Sequence, residues 1–352
     1  MGFQQMNKKN ITFLIGTIAS LILLGLLYYN FSSNRSREDY LKNGGFNRSE
    51  LSAKLTLDSD YDLDEGYYGI VGLVGDKILI REYDKSSLLL LSEGNLKETV
   101  LLPDTIDGKD VFYISMNPFK DHHIDVQSNN SNKIFEFDID RQKIVSSYHF
   151  KKYFYKAIRA SADSFYSLVQ NDDMEKVGLA LIKFDKSGNS SNIQNGKFNI
   201  DAMSEDGSLI KTALGLVYIN YYNNQISVID STLTDILPYN TIDTITELPK
   251  TINIKNNTIT KFIKQPRPVN QLVRASKNYL FINSYVKADN ESEVNPDNSE
   301  TLDVYEIHNK YKYKGTIYLK RHDGNRVQDF LIENNRLIVQ YPNKTLSYEL
   351  SL

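Results

Sequence analysis

A short module of β-strands separated by polar turns recurs along this chain and constrains its fold more than any other feature. The clearest copy is His122–Phe150, which contains three strands, HHIDVQS, KIFEFDI and KIVSSYHF, separated by the polar turns SNNSN and DRQ. A further strand, VFYIS, lies just upstream at Val111–Ser115. Four short antiparallel strands within about 40 residues match one blade of a β-propeller, so the fold depends on whether the module repeats.

The module can be aligned six times along the chain. Its second strands read KILIREY, HHIDVQS, SFYSLVQ, LVYINYY, NYLFINS and RLIVQYP. The ends of the third strands are separated by steps of 45, 47, 45, 78 and 41 residues, and all but the longest step fall within the roughly 40–50 residues of a propeller blade. The repeat therefore predicts an all-β, six-bladed β-propeller. The alternative is a β-sandwich or a pair of them, but sandwich strands would not keep this period.

The two ends of the repeat region complement each other. The last copy stops at Leu352 after its third strand and lacks a fourth. Near the start, SAKLTLD at 52–58 reads as a fourth strand, but the first three strands of its module are missing before it. We therefore expect residues 52–58 to pair with 344–350 as the fourth strand of the last blade. This arrangement closes the ring and hides a sheet edge, and the propeller then comprises residues 52–352.

An apolar segment, ITFLIGTIASLILLGLLYY at 11–29, precedes the repeats and contains no charged residue. At about 1.5 Å per residue it nearly spans a bilayer core of about 30 Å. A cleaved signal peptide is the alternative, but its apolar core would be about 7–15 residues long and would end at small residues. The sequence favours a single-pass transmembrane anchor at 11–29, between a cytoplasmic tail (1–10) and a polar linker (30–51), with the propeller outside.

The unusual polar loops are all predicted on one face of the propeller. Connections from fourth to first strands and from second to third strands share a face, and the linker is expected to enter from the opposite one. The longest connection, 237–268, lies between blades four and five and contains the hairpin pattern TINI-KNN-TITKF. Loops this long in compact domains are usually functional, although a tolerated surface insertion is the alternative. The other connections on this outward face include DSDYDLDEGY (58–67), PDTIDGKD (103–110), FNIDAMSEDG (198–207) and KRHDGNR (320–326).

Composition and motifs exclude several kinds of chemistry. The chain has no cysteine, which excludes disulfides, thiolate metal sites and cysteine nucleophiles. Its net charge of −3 and the lack of a basic aromatic stripe argue against nucleic-acid binding. We find no GxSxG, HExxH, GxGxxG or phosphate-binding glycine motif, and therefore predict no catalytic residues. Enzymatic activity stays open, and a binding protein is the preferred interpretation.

Aspartates alternate in DSDYDLDEG, at positions 58, 60, 62 and 64. A calcium-binding EF-hand loop needs glycine at its sixth position and glutamate at its twelfth. Neither the register that begins at Asp58 nor the one that begins at Asp60 meets this requirement. The carboxylates would repel one another on one face of an extended segment, so the pattern predicts either a solvated acidic loop or a cation site.

On its repeat pattern, Ser52–Leu352 resembles bacterial membrane-anchored or periplasmic six-bladed propellers of the TolB, NHL and YWTD-like type, although no YWTD tetrapeptide occurs. The resemblance implies a rigid platform for a protein or peptide partner. From the lack of cofactor motifs and from the predicted anchor at 11–29, we expect no cofactor and a location in the bacterial inner membrane with the propeller in the periplasm. Some propellers, similar to calcium-dependent lactonases, instead hydrolyse esters with residues that converge on the central channel. The residues here at matching positions, with calcium as the implied metal, are Asp110, Asp206, Asn270 and Asp329.

We expect the outward loop face to be the binding surface for the partner. Its polar residues supply both charges, and the arginines are the expected cationic anchors. The predicted binding residues are Asp62, Asp64, Glu65, Asp107, Asp110, Glu205, Asp206, Arg267, Arg321, His322 and Arg326.

Overall fold

The computed structural model describes most of the repeat region and the segment that precedes it. The residues described are 45–83, 85–92, 96–106, 109–110, 113–120, 122–128, 132–170, 176–254, 259–295, 297, 299–333 and 335–352. The predicted cytoplasmic tail, the apolar segment 11–29 and most of the predicted linker lie outside these residues. Within the described part, no helix has the length and apolar character needed to cross a bilayer.

The six predicted modules form six four-stranded antiparallel sheets. Blade 1 comprises β2 (Tyr68–Val74), β3 (Lys77–Glu82), β4 (Ser87–Ser92) and β5 (Leu96–Leu101). Blade 2 comprises β8 (Tyr113–Lys120), β9 (His123–Ser128), β10 (Lys133–Asp138) and β11 (Lys143–His149). Blade 3 comprises β12 (Phe154–Ser161), β13 (Ser164–Gln170), β14 (Lys176–Phe184) and β15 (Ser190–Asp201).

The second half of the ring follows the same order. Blade 4 comprises β16 (Gly207–Thr212), β17 (Gly215–Asn220), β18 (Gln225–Ile229) and β19 (Ile236–Asn240). Blade 5 comprises β22 (Asn270–Ala275), β23 (Tyr279–Ser284), β24 (Glu300–Glu306) and β25 (Lys312–Leu319). Blade 6 comprises β26 (Asp329–Glu333), β27 (Arg336–Tyr341), β28 (Lys344–Ser351) and β1 (Lys54–Asp62). Shorter elements lie in the connections: the hairpins β6 (Thr105–Ile106)–β7 (Lys109–Asp110) and β20 (Thr251–Ile254)–β21 (Ile259–Phe262), helix α1 (Glu291–Val294) and a 3-10 turn (Ile307–Asn309).

Hydrophobic side chains fill the space between each blade and the next. Middle strands such as β3 and β10 are buried at consecutive positions rather than at alternate ones, because neighbouring blades cover both faces of each sheet. Between blades 2 and 3, for example, the rings of Phe150 and Phe154 stack with centroids 4.1 Å apart. Each of the six junctions between successive blades has a buried cluster of this kind, including the junction of blade 6 with blade 1. The six-bladed propeller predicted from the repeat is confirmed.

The ring closes by pairing strands from distant parts of the chain. The outer strand β1 is antiparallel to β28, in a register that runs from Lys54 opposite Ser351 to Asp62 opposite Lys344. A bulge between Leu57 and Ser59 interrupts this pairing. The closing strand is therefore longer than the 52–58 expected from the sequence, and it includes the first residues of the segment 58–67 that was expected to be a loop.

Residues 45–51, which the sequence assigns to a linker, are instead part of the propeller; we call them the N-terminal strap. Phe46 is buried with Val269, Val286 and Ala288. Further along the strap, Ser49 and Leu51 share backbone hydrogen bonds with Thr316, on the outer strand of blade 5. The strap crosses the edge of blade 5 and then continues into β1.

The first residue of the strap contacts connections on the face that the sequence predicts to point outward. The Gly45 N–H donates to Asp289 Oδ1 at 3.3 Å, and Thr244 lies directly against Gly45. Thr244 belongs to the connection between blades 4 and 5, and Asp289 belongs to the connection between β23 and β24. Both connections lie on the face expected to point outward. The closing strand β1 begins at the opposite face, as expected, because Lys54 pairs with Ser351 at the end of a third strand. The strap reaches that face from the outward one.

Candidate functional site

The loop face is defined by the connections from fourth to first strands and from second to third strands, which alternate strand directions place on one side of the ring. The predicted binding residues belong to these connections at five of the six blade junctions. Asp107 lies outside the described residues, and the side chain of Asp110 is not described. Asp62 is the last residue of β1, and Asp64 and Glu65 follow that strand. The remaining predicted residues precede β16, β22 or β26 in the chain.

Three of the four alternating aspartates, those at 58, 60 and 62, pair with cations on blade 6. Lys344 lies on β28, the strand paired with β1, and its Nζ is 2.8 Å from Asp60 and 3.1 Å from Asp62. The Lys344 ammonium donates to Asp60 and lowers the pKa of that exposed carboxyl. Arg336 lies 3.6 Å from Asp58. The like-charge repulsion expected along this segment is therefore relieved by side chains of the same blade. Asp64 and Glu65, in the connection that follows, are exposed.

Asp329, expected as a metal ligand, instead joins three blades. Its Oδ1 accepts hydrogen bonds from Arg274 Nη2 of blade 5 and from the Phe330 N–H, both at 2.8 Å. Its Oδ2 accepts from the Ile70 N–H of blade 1 at 2.9 Å. The carboxylate is buried and its oxygens are occupied by donors from both neighbouring blades. The arrangement is that of a structural contact at the ring junction.

The other expected metal ligands also connect neighbouring blades. Asp206 Oδ1 accepts from Lys156 Nζ of blade 3 at 2.8 Å. Asn270 Nδ2 donates to two blade 4 carbonyls, those of Asn220 at 2.8 Å and Asn223 at 3.0 Å. Among the residues that the structure describes, no three histidine, aspartate or glutamate side chains come together as a metal site. Glu205, beside Asp206, accepts a hydrogen bond from the Asp201 N–H at 2.6 Å and shapes its own loop.

The central channel has a cationic lining that the motif search missed. A cavity of about 490 Å³ is lined by Arg159, Lys211 and Arg274, from the first strands of blades 3, 4 and 5. Arg159 is buried and pairs with Asp125 through an Nε–Oδ2 hydrogen bond of 2.7 Å, and Arg274 pairs with Asp329. The repeat contains the signal, because AIRAS, LIKTA and LVRAS place a cation at the same position of three successive first strands.

The insertion between blades 4 and 5 forms the predicted hairpin and a groove at its base. Strand β20 pairs with β21, from Thr251 opposite Phe262 to Ile254 opposite Ile259, which confirms the hairpin pattern. Residues 237–240 belong to β19, so the insertion begins later than expected, at Thr241. A cavity of about 340 Å³ lies at the hairpin base; we call it the hairpin groove. Its lining residues are Tyr222, Ile245, Glu247, Leu248, Pro249, Lys250, Ile263, Lys264, Gln265, Pro266 and Arg267.

Arg267 has unsatisfied hydrogen-bonding capacity within this groove. Its Nε and Nη2 are buried and have no hydrogen-bond partner in the described part of the chain. Burial lowers the pKa of Arg267, and the nearby Asp243 opposes that shift. A buried donor without an acceptor lowers the stability of the folded protein by roughly 1–3 kcal/mol, and by more when the group is charged. Arg267, predicted as a cationic anchor, therefore lies in the loop face without an acceptor for two of its nitrogens.

The predicted residues between blades 5 and 6 are farther along the loop face. Arg321 Nε is also buried without a partner among the described residues. His322 Nε2 lies 3.4 Å from Asp323, and Arg326 Nε lies 3.4 Å from Glu300. These last two side chains thus have acidic neighbours on the protein itself. Of the predicted cations, Arg267 is the one that lines a described cavity.

Comparisons with known proteins identify the fold. No protein-family model and no curated protein sequence matches this chain. Virginiamycin B lyase from Staphylococcus aureus is similar in structure, with a TM-score of 0.50, 13% identity, and coverage of 85% of this chain and 100% of the lyase chain. A protein from Bacteroides fragilis, described as exported, is also similar in structure. Its TM-score is 0.53 and its identity 8%, with coverage of 87% of this chain and 97% of the Bacteroides chain. At these identities the similarity is one of fold and not of activity.

Proposed function

We propose that this protein is a binding platform whose loop face captures a protein or peptide partner. The observation that carries this proposal is the hairpin groove, a cavity with apolar walls and a guanidinium, that of Arg267, two of whose nitrogens have no acceptor among the described residues. Ile252 and Ile263, on and beside the hairpin, are 42% and 59% exposed. Exposed apolar side chains around a buried anchoring group are what a partner-binding patch requires.

The location of the platform is part of the same proposal. The segment 11–29 would anchor the chain in the bacterial inner membrane, with the propeller on the extracytoplasmic side. Its length and lack of charge support this, and the absence of cysteine is compatible with either compartment. The hairpin groove would then meet periplasmic proteins or peptides. The rigid ring would hold the groove in a fixed geometry, since each blade is packed between two others.

A pair of single-cysteine variants tests both parts of the proposal. The chain has no native cysteine, so Ile263→Cys reports the hairpin groove. Leu214→Cys is the matched control, because Leu214 is 50% exposed in the turn between β16 and β17, on the opposite face. In spheroplasts, we expect a membrane-impermeant maleimide to label both positions. A benzophenone maleimide at Ile263→Cys should crosslink to a discrete partner after irradiation, and at Leu214→Cys it should not.

Two results would contradict the proposal. If the impermeant reagent labels neither cysteine until the membrane is permeabilised, the propeller is not extracytoplasmic. If both positions crosslink to the same proteins, or Ile263→Cys crosslinks to none, the loop face is not a selective binding surface. Mass spectrometry of the crosslinked product identifies the partner.

A further inference from the structure

We propose that the hairpin groove binds an extended acidic polypeptide segment, one carboxylate of which pairs with Arg267. This inference rests on the proposed function and specifies the chemistry of the partner. The groove is cationic overall, since Lys250, Lys264 and Arg267 line it together with the single carboxylate of Glu247. An acidic occupant complements that charge.

Asp243, the carboxyl group that acts on Arg267 electrostatically, already has hydrogen-bond partners of its own. Asp243 lies close enough to affect the pKa of Arg267, but both of its oxygens are engaged elsewhere. Its Oδ2 accepts from the Thr241 hydroxyl at 2.5 Å, and its Oδ1 accepts from the Ile245 N–H at 2.9 Å. Among the described residues, none accepts a hydrogen bond from Arg267 Nε or Nη2, so both nitrogens can pair with acceptor oxygens of a bound molecule. Adjacent guanidinium nitrogens match the two oxygens of a carboxylate in a bidentate pair.

The walls of the groove favour an extended chain with apolar side chains. Leu248, Pro249, Ile263 and Pro266 line it, and prolines have no N–H that would compete for the acceptors of the occupant. The hairpin is a two-stranded sheet, so it offers edges to which an extended segment can add as a further strand. Alternating acidic and apolar residues would place carboxylates towards one side of such a strand and apolar side chains towards the other.

Synthetic peptides provide the probe for this site. The first is a fluorescein-labelled peptide of alternating leucine and glutamate with blocked ends; the second has glutamine at every glutamate position. The affinity of each peptide for the full-length protein in detergent is measured by fluorescence anisotropy. We expect the glutamate peptide to bind, and the glutamine peptide to bind with an affinity at least about tenfold lower. Hydrogen bonds to an ionised carboxylate are stronger than those to a neutral amide, and a tenfold difference corresponds to about 1.4 kcal/mol.

The Arg267→Gln variant tests the residue itself. We expect it to bind the glutamate peptide about tenfold or more weakly, and Arg267→Lys to recover part of that loss. Arg141→Gln is the matched control, because Arg141 is exposed in the turn between β10 and β11, on the opposite face; the affinity of this variant for the glutamate peptide should equal that of the unchanged protein. The melting temperature of Arg267→Gln should stay the same or rise, since the substitution removes a buried charged group without acceptors.

Each alternative outcome decides against a specific part of this account. Equal affinity for the two peptides, or an Arg267→Gln variant that binds the glutamate peptide normally, would overturn the acidic-segment inference. If Ile263→Cys still crosslinks to a partner in that case, the proposed platform function stands and only its partner chemistry is wrong. If the glutamate peptide binds through Arg267 but no partner crosslinks, the platform function is the part that fails.

Discussion

Replacing Arg48 with alanine is expected to lower the free energy of unfolding by about 3–5 kcal/mol, the range for removing one partner of a buried ion pair. The Arg48 side chain is 0% exposed. Its Nε and Nη2 donate to the two oxygens of Asp303 at 2.9 and 3.0 Å, and its Nη1 donates to Glu291 at 2.7 Å. Burial opposes the charged form, but the two carboxylates outweigh it and raise the pKa of Arg48. The alanine variant leaves both carboxylates without their cation.

Chemical denaturation with urea measures this effect, and the strap itself offers the control. Glu50→Ala changes an exposed residue two positions away and should alter the unfolding free energy by less than about 0.5 kcal/mol. The loss of unfolding free energy in Arg48→Lys should lie between the losses in these two variants, because an ammonium keeps the charge but cannot reproduce the bidentate geometry at Asp303. If residues 45–51 were the linker predicted from the sequence, Arg48→Ala would be as mild as Glu50→Ala. That result would contradict the placement of the strap in the propeller.

Asp329→Ala is expected to lower the free energy of unfolding by about 3 kcal/mol, since it leaves a buried N–H unsatisfied and removes the carboxylate that pairs with Arg274. Asp329 joins blades 5, 6 and 1, and the Ile70 N–H loses its acceptor in the variant. The expected decrease is at the lower end of the range for a broken ion pair, because the Arg274 side chain is 30% exposed and can be hydrated once Asp329 is removed. Thermal unfolding of the two proteins, compared at the same protein concentration, checks the expected decrease.

The calcium-dependent alternative makes a different prediction for the same variant. A metal ligand at position 329 would stabilise the protein mainly when calcium is present, so the effect of the substitution would disappear in chelator. The interblade contact predicts the same destabilisation with calcium and with chelator. Asp323→Ala is the matched control, because Asp323 lies in the connection that leads to Asp329 and its side chain is 74% exposed. A loss that appears only with added calcium would overturn the structural role of Asp329.

The blades were predictable because each is specified by local sequence. Within a blade, an apolar run and a polar turn recur within a few residues, so His122–Phe150 alone determines three strands. The strap was not predictable for the opposite reason. Arg48 and Asp303 are 255 positions apart, and nothing in the composition of 30–51 distinguishes a linker from a segment bound to a distant blade. The contacts of the strap with the loop face were missed for the same reason.

The candidate site was predictable in position but not in detail. The hairpin pattern in the insertion and the place of Arg267 beside it could be predicted from local sequence. Whether a charged residue is already paired depends on its neighbours in three dimensions. Asp60 and Asp329 have cations from other strands or blades, whereas Arg267 lacks acceptors for two nitrogens in the described part of the chain. That difference separates structural residues from candidate binding residues, and it requires the packed structure.

Excision of the hairpin tests the central claim, partner capture by the hairpin groove, most directly. The Ile263 N–H donates to the Lys250 carbonyl at 3.0 Å, so residues 251–262 can be replaced by an Asn-Gly turn that joins these neighbours. The affinity of the variant for the partner identified by crosslinking is then measured by calorimetry, alongside its melting temperature. We expect binding to be lost while the melting temperature stays within about 2 °C, because the hairpin lies outside the six blades. Unchanged affinity in a folded variant would contradict the claim.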